Sequence, residues 1–124
     1  MRLVNFGPGE IADRLTILSL KILHGAAAGK DTKHFLDERN ALLTQLRGRE
    51  LSGPWLEYTL ELGAVNSALW QAEDEIRALR ALPVVSPTQA LVIAFRIPTL
   101  NDRRAELVSL INQSTGDHLG EEKV

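Results

Sequence analysis

The sequence predicts an all-α fold, a compact bundle of four to five helices with one long central helix. Three observations lead to this prediction. Apolar residues recur at steps of three and four along most of the chain, which is the period of an amphipathic helix. Proline and glycine interrupt the pattern where helices can start and stop. Beyond the stretch 2–6, no segment alternates apolar and polar residues as a strand would.

The composition fits a single helical domain over residues 1–124, with residues 117–124 as a polar tail. The chain is 44% hydrophobic and 24% charged, which is typical of one soluble globular domain. Its formal charge of −2 gives no net attraction to nucleic acid. The chain has no cysteine, so disulfides, Cys-ligated metals and thiol nucleophiles are excluded.

Neither a membrane span nor a signal core is predicted. The uncharged run 81–95 contains Pro83 and Pro87 and is shorter than the roughly 20 residues that a spanning helix needs. Glu10 and Asp13 interrupt the start of the chain before an apolar signal core can form. We therefore expect a cytoplasmic protein without membrane contact.

The first two helices are delimited by local signals. Pro8 suits the first position of a helix, because the N–H that it lacks would be unpaired there. This helix is predicted to run to about His24. Asp31 or Thr32 can cap the second helix through a side-chain oxygen, and Gly48 follows its last apolar residues.

The third helix, predicted over 54–82, has the most regular apolar seam. At 1.5 Å per residue it would be about 43 Å long, against a radius of gyration of about 14 Å for a domain of this size. Either Gly63 bends the helix or a partner chain covers the overhang. The seam consists of Leu62, Val65, Leu69, Ala72, Ile76 and Leu79.

A fourth helix begins at Ser86, which forms a capping box with Gln89. Pro98 conflicts with a carbonyl of an uninterrupted helix, so we expect a kink or a break there. Asp102 would then start a fifth helical stretch that Gly116 ends.

The candidate site starts from a polar stripe beside the seam of the third helix, formed by Asn66, Trp70, Glu73 and Arg77. Such a stripe lies half buried between helices, where polar groups need partners. The simpler interpretation is an ion pair between Glu73 and Arg77, which are four residues apart.

Two other segments could contribute to the same site. Glu10 and Asp13 lie three apart at the start of the first helix, where they could face a divalent cation or only satisfy the helix dipole. Around Pro98, arginines stand beside amide and acid groups. These residues are Arg96, Asn101, Asp102, Arg103 and Arg104.

At these residues the chain resembles a small family of bacterial and phage proteins described only as a domain of unknown function. The resemblance implies that the polar stripe and both carboxylates of the first helix belong to the family pattern, but it implies no activity. The family has serine where Gly7 stands and an aromatic ending where Val124 stands. The matching motifs are Pro8-Gly9-Glu10 with Asp13, Thr16-Ile17-Leu18 with Lys21, Val65-Asn66, Leu69-Trp70, Glu73-Asp74, Ile76-Arg77, Asn101-Asp102-Arg103, Ile111-Asn112 and Glu121-Glu122-Lys123.

The leading functional hypothesis is a module that binds a small anionic or phosphorylated metabolite, such as a nucleotide. Arg77, Arg96 and Arg103 would contact the anion, because guanidinium groups suit phosphate geometry. Asn66 and Asn101 would orient polar groups. Trp70 would supply a stacking face.

Two alternatives remain open, so the sequence does not decide whether the protein is an enzyme. A magnesium-dependent nucleotide phosphohydrolase would hold its metal with Glu10, Asp13, Glu73 and Asp74. A scaffold or subunit would use the same polar groups only for helix packing.

The long third helix also predicts a homodimer or higher oligomer. A small domain covers only part of such a helix, and its overhang would meet a second copy. Trp55, Leu56 and Leu60 would extend the apolar area at one end.

Overall fold

The computed structural model describes residues 5–51 and 53–115, and within these ranges it contains helices and no strand. This confirms the all-α prediction. The predicted polar tail 117–124, the helix end at Gly116 and the Glu121-Glu122-Lys123 motif lie outside the described residues. The four helices are α1 (Pro8–Ala27), α2 (Lys33–Leu46), α3 (Gly53–Arg80) and α4 (Pro87–Ser114).

The four helices form a bundle in which α1 touches each of the others. The predicted long central helix is α3, and α4 equals it at 28 residues. These two form an antiparallel hairpin, since Arg103 meets Glu61 while Arg96 meets Glu75. Among the helices of the structure, α2 packs on α1 alone. None of the described helices has both the length and the apolar character needed to cross a bilayer.

A side chain from α4 caps the start of α1. Gly7 occupies the N-cap position and has no side chain with which to accept a bond. Instead, the Gly9 N–H donates to Oδ1 of Asn112 at 2.8 Å. An amide 103 residues away therefore supplies the acceptor that a serine at position 7 would have provided locally.

The ends of α1 and the start of α2 differ slightly from the prediction. α1 continues past His24 to Ala27, because the alanines favour helix, and the chain turns at Gly29 with φ of +70°. Of the two predicted caps for α2, Asp31 makes the bond: its Oδ1 accepts from the Lys33 N–H at 2.9 Å. Thr32 sits at the N-cap without a side-chain bond.

The seam of α3 is buried over its first part. Its first four residues, Leu62 to Ala72, are buried, and the first three belong to a core cluster with residues of α1 and α4. Ile76 and Leu79 are half buried. The helix does not end at Gly63, where an added methyl group would lie 3.6 Å from Cγ2 of Thr16.

Of the kink or break predicted at Pro98, the break is wrong, and so is the fifth helix starting at Asp102, whereas the kink stays a prediction. α4 runs without interruption across Pro98. Pro98 has no backbone N–H, so the helix loses one hydrogen bond there. Ile97 and Leu100 on either side of it pack against the core and hold the helix in place. Tertiary packing therefore outweighs the local penalty of the proline.

The capping interaction at the start of α4 gives a first prediction. The Gln89 N–H donates to Oγ of Ser86 at 3.3 Å. We expect Ser86→Ala to lower the free energy of unfolding by about 1 kcal/mol, because this N–H loses its acceptor. Urea denaturation followed by circular dichroism measures the change. Ser67→Ala removes an exposed hydroxyl from the interior of α3 and should not destabilise the protein.

Candidate functional site

The Asp13 carboxylate lies at the junction of α1, α3 and α4. Arg104 binds it with two parallel hydrogen bonds, from Nε to Oδ1 at 2.8 Å and from Nη2 to Oδ2 at 2.6 Å. The Asp13 side chain is only 15% exposed. A bidentate pair of this kind fixes both position and orientation, so it joins α1 to α4 in one register.

Asn66 ties α3 into the same junction. Its side-chain amide is buried, with the residue 4% exposed. Nδ2 donates to Oδ1 of Asp13 at 3.0 Å and to Oγ1 of Thr16 at 2.8 Å. Thr16 in turn donates to the backbone carbonyl of Asp13 at 2.8 Å. The four residues Asp13, Thr16, Asn66 and Arg104 are called the junction network below.

The guanidinium of Arg104 stays charged at every accessible pH. Its hydrogen bonds to Asp13 raise the pKa of Arg104 above the ordinary arginine value, and the charges of Asp13 and Glu73 add to this effect. Arg104 remains 35% exposed, and Asp13 engages only Nε and Nη2 of a group that carries five N–H donors. Arg104 can therefore also face a ligand.

Two cavities border this junction, and a third adjoins them at Lys21. The first, called the α1 groove, has a volume of about 410 Å³. It is lined by Glu10, Asp13, Arg14, Ile17, Leu18, Lys21, Glu38 and Arg104. The second, called the Trp70 pocket, has about 200 Å³. It is lined by Ile17, Leu20, Lys21, Asn66, Leu69, Trp70, Glu73, Asn101 and Arg104.

The third cavity, called the His24 pocket, combines basic and aromatic side chains. Its volume is about 270 Å³. The rings of His24 and Trp70 stack with their centroids 4.7 Å apart and their planes within 9°. The lining residues are Lys21, His24, Gly25, Ala28, Lys30, Phe35 and Trp70, and none of these described residues is acidic. The pocket wall therefore carries two lysines beside aromatic rings.

Apart from Arg104, the sequence proposed ten residues for binding, and the cavities bring together six of them. Glu10 and Asp13 line the α1 groove. Four of the proposed residues, from α3 and α4, line the Trp70 pocket: Asn66, Trp70, Glu73 and Asn101.

The other four proposed residues lie elsewhere. Arg77 pairs with Asp74 at 2.6 Å, so the simple ion pair predicted with Glu73 is wrong. Arg96 pairs with Glu75 across the hairpin. Arg103 is held by both Glu61 and Glu106. The remaining residue, Asp102, is exposed and lines none of the three cavities.

The four carboxylates suggested for a magnesium site do not converge. Asp13 is engaged by Arg104, and Asp74 by Arg77. Within residues 5–51 and 53–115, no three His, Asp or Glu side chains are grouped so that they could hold a metal ion. The phosphohydrolase hypothesis therefore gains no support from the arrangement of these side chains.

Lys21 was missing from the residues proposed for the site, and Arg104 was named beside Pro98 without a contact assigned to it. Arg104 continues the apolar positions Ile97, Leu100, Leu107 and Ile111 of α4 at steps of three and four, which places it beside the core, whereas its neighbour Arg103 pairs with Glu61 of α3. Lys21 continues the stripe of Glu10, Arg14 and Ile17 at steps of four, three and four along α1. Helical spacing from known core positions could have identified both residues.

Residues 5–51 and 53–115 form a four-helix bundle with a buried polar junction and, beside it, a cleft lined by charged and aromatic side chains. No protein-family model, no curated protein and no solved structure matches the chain.

Proposed function

We propose that this protein binds a small anionic metabolite, with phosphorylated compounds such as nucleotides as the leading class, in the cleft between α1, α3 and α4. The proposal depends above all on the position of Lys21, which lines all three cavities. The combined volume of the three cavities falls within the range of about 300–1,000 Å³ that is typical of metabolite pockets.

Lys21 is available to a ligand anion. Among residues 5–51 and 53–115, no carboxylate lies within ion-pair distance of it. Its ammonium group lies 5.5 Å from the ring centroid of Phe35, which holds the charge beside the His24 pocket. Lys30 lines the same pocket, so two lysines and no acid face the space where a phosphate would bind.

The rest of the ligand would occupy the Trp70 pocket. The Trp70 indole, one face of which stacks on His24, lines this pocket and can contact a base or a sugar ring. Asn101 can donate and accept hydrogen bonds, while Glu73 accepts them from hydroxyl or amino groups. The proposed anion contacts thus change from Arg77, Arg96 and Arg103, which line none of the three cavities, to Lys21, Lys30 and Arg104, which do.

The test is thermal unfolding with AMP and ribose 5-phosphate, compared with adenosine and ribose. A ligand at 100 times its Kd should raise the free energy of unfolding by about 2.7 kcal/mol. We expect the phosphorylated probes to raise Tm and their uncharged counterparts to have a much smaller effect. Added salt should weaken the shift.

Matched variants locate the binding site. Lys21→Gln removes the exposed cation that the cavities share, and it should reduce the affinity for the phosphorylated probe at least tenfold. Lys33→Gln removes an exposed lysine on α2 that pairs with Asp37 at 2.9 Å, and it should leave binding unchanged. The proposal fails if neither phosphorylated probe shifts Tm, or if Lys21→Gln binds as tightly as the natural chain.

A further inference from the structure

The side-chain amide of Asn66 is held in one orientation by the junction network. Its Nδ2 donates to Oδ1 of Asp13 and to Oγ1 of Thr16. A carboxylate has no hydrogen to donate, and Thr16 already donates its own to the backbone carbonyl of Asp13. Because both partners can only accept, the nitrogen of the amide faces them and the amide cannot turn over. Arg104 in turn fixes the Asp13 carboxylate with two hydrogen bonds.

The oxygen of the same amide, Oδ1, is left for a donor outside the network. Within residues 5–51 and 53–115 Asn66 takes part in two side-chain hydrogen bonds, and both use Nδ2. Oδ1 is also not one of the side-chain atoms in these ranges that lack both a partner and access to solvent. Because Asn66 is only 4% exposed and lines the Trp70 pocket, Oδ1 is reached from that pocket. An acceptor in this position favours a ligand that brings a donor to it.

The surroundings of Oδ1 suit a flat ring that carries a donor. Trp70 follows Asn66 by four positions on α3, so the indole and the amide lie on one face of the helix. Ile17, Leu20 and Leu69 add apolar side chains to the same wall. The pocket volume of about 200 Å³ is below the roughly 300 Å³ at which metabolite pockets begin, so it takes one part of a ligand. An aromatic ring fits the apolar wall, and an amino group on that ring supplies the donor.

Building on the function proposed above, we propose that the ligand is a nucleotide whose base carries an exocyclic amino group, and that Asn66 selects this base through Oδ1. The base occupies the Trp70 pocket, while the phosphate meets Lys21 and Lys30 in the His24 pocket. The two pockets adjoin, since Lys21 and Trp70 line both. Asn66 is thus a specificity-determining residue, and the rest of the junction network positions its amide.

The experiment is isothermal titration calorimetry of the natural chain with AMP and with purine riboside 5′-monophosphate, which has hydrogen in place of the amino group. We expect AMP to bind about tenfold more tightly or better, because the analogue leaves Oδ1 without a donor. Equal affinities, or binding of ribose 5-phosphate without binding of AMP, would overturn the selection by Asn66 and leave the proposed function standing. If none of the three compounds binds, the proposed function fails and the selection fails with it.

Variants assign the preference for AMP to Asn66. Asn66→Ala removes Oδ1 while Arg104 keeps both bonds to Asp13, so we expect the protein to fold and to bind the two nucleotides with nearly equal affinity. Lys21→Gln should weaken both nucleotides by the same factor and preserve their ratio, because the phosphate is common to them. If circular dichroism shows that Asn66→Ala does not fold, Asn66→Val replaces it, since valine fills more of the space and also lacks an acceptor. An undiminished preference for AMP in the folded variant would overturn the role of Asn66.

Discussion

Gly9→Ala is expected to lower the free energy of unfolding by about 3 kcal/mol, at the upper end of the usual cost of overpacking. A β-carbon at this position would lie 2.3 Å from the backbone oxygen of Val108 and 2.9 Å from Oδ1 of Asn112. The Val108 oxygen belongs to the backbone of α4 and cannot rotate away as a side chain would. The helices must therefore separate, which weakens the bond from Gly9 to Asn112 as well.

Gly63→Ala provides the matched control, because it adds the same methyl group to another helical glycine. Its β-carbon would lie 3.6 Å from Cγ2 of Thr16, an ordinary van der Waals distance. We expect it to stabilise the protein by about 0.5–1 kcal/mol, since alanine favours helix over glycine. Urea titrations of both variants test this contrast, and equal effects on stability would refute the close approach of α1 and α4 at Gly9.

Arg104→Met is expected to lower the free energy of unfolding by about 2 kcal/mol. Methionine has an apolar side chain of similar length, but it cannot form the two hydrogen bonds to Asp13. The Asp13 carboxylate then keeps only one side-chain donor, the Asn66 amide. The expected loss is smaller than for a fully buried pair, because water reaches Arg104 and screens the charge.

The neighbouring arginine offers a control in the same helix. Arg103→Met breaks pairs with Glu61 and Glu106 that are exposed, so little change in stability is expected. A double-mutant cycle of Arg104→Met with Asp13→Asn measures the coupling in the junction network, which we expect to be about 1 kcal/mol or more. Additive losses in that cycle would show that the two side chains do not stabilise each other.

The helices were predictable because their signals are local. A proline at the first turn, a serine cap and apolar steps of three and four act within a few residues of the chain. These features correctly indicated where α1 and α4 begin and which residues of α3 face the core. Pro98 is the exception, because the packing of Ile97 and Leu100 was not visible in the local pattern.

The members of the site were only partly predictable. Asn66 was identified because polar groups beside an apolar seam need partners, and Asp13 because it lies three residues after Glu10 at the start of the first helix. Arg104 was not identified as the partner of Asp13. It directly follows Arg103 in the sequence, but one residue along a helix turns the side chain by about 100°, so the two arginines have different partners. The pairing of Arg104 with Asp13 spans 91 residues of sequence, and no local rule reaches so far.

The sequence by itself determined an all-α chain, its helix starts and its core-facing seam, since each depends on interactions between residues close along the chain. The tertiary structure alone decided which charges neutralise each other and which remain available. Arg77, Arg96 and Arg103 acquire acidic partners, while Lys21 lines three cavities without one among the described residues. The physical reason is that charge pairing depends on distances of a few ångströms, and these are set by the packing of α1 against the α3–α4 hairpin.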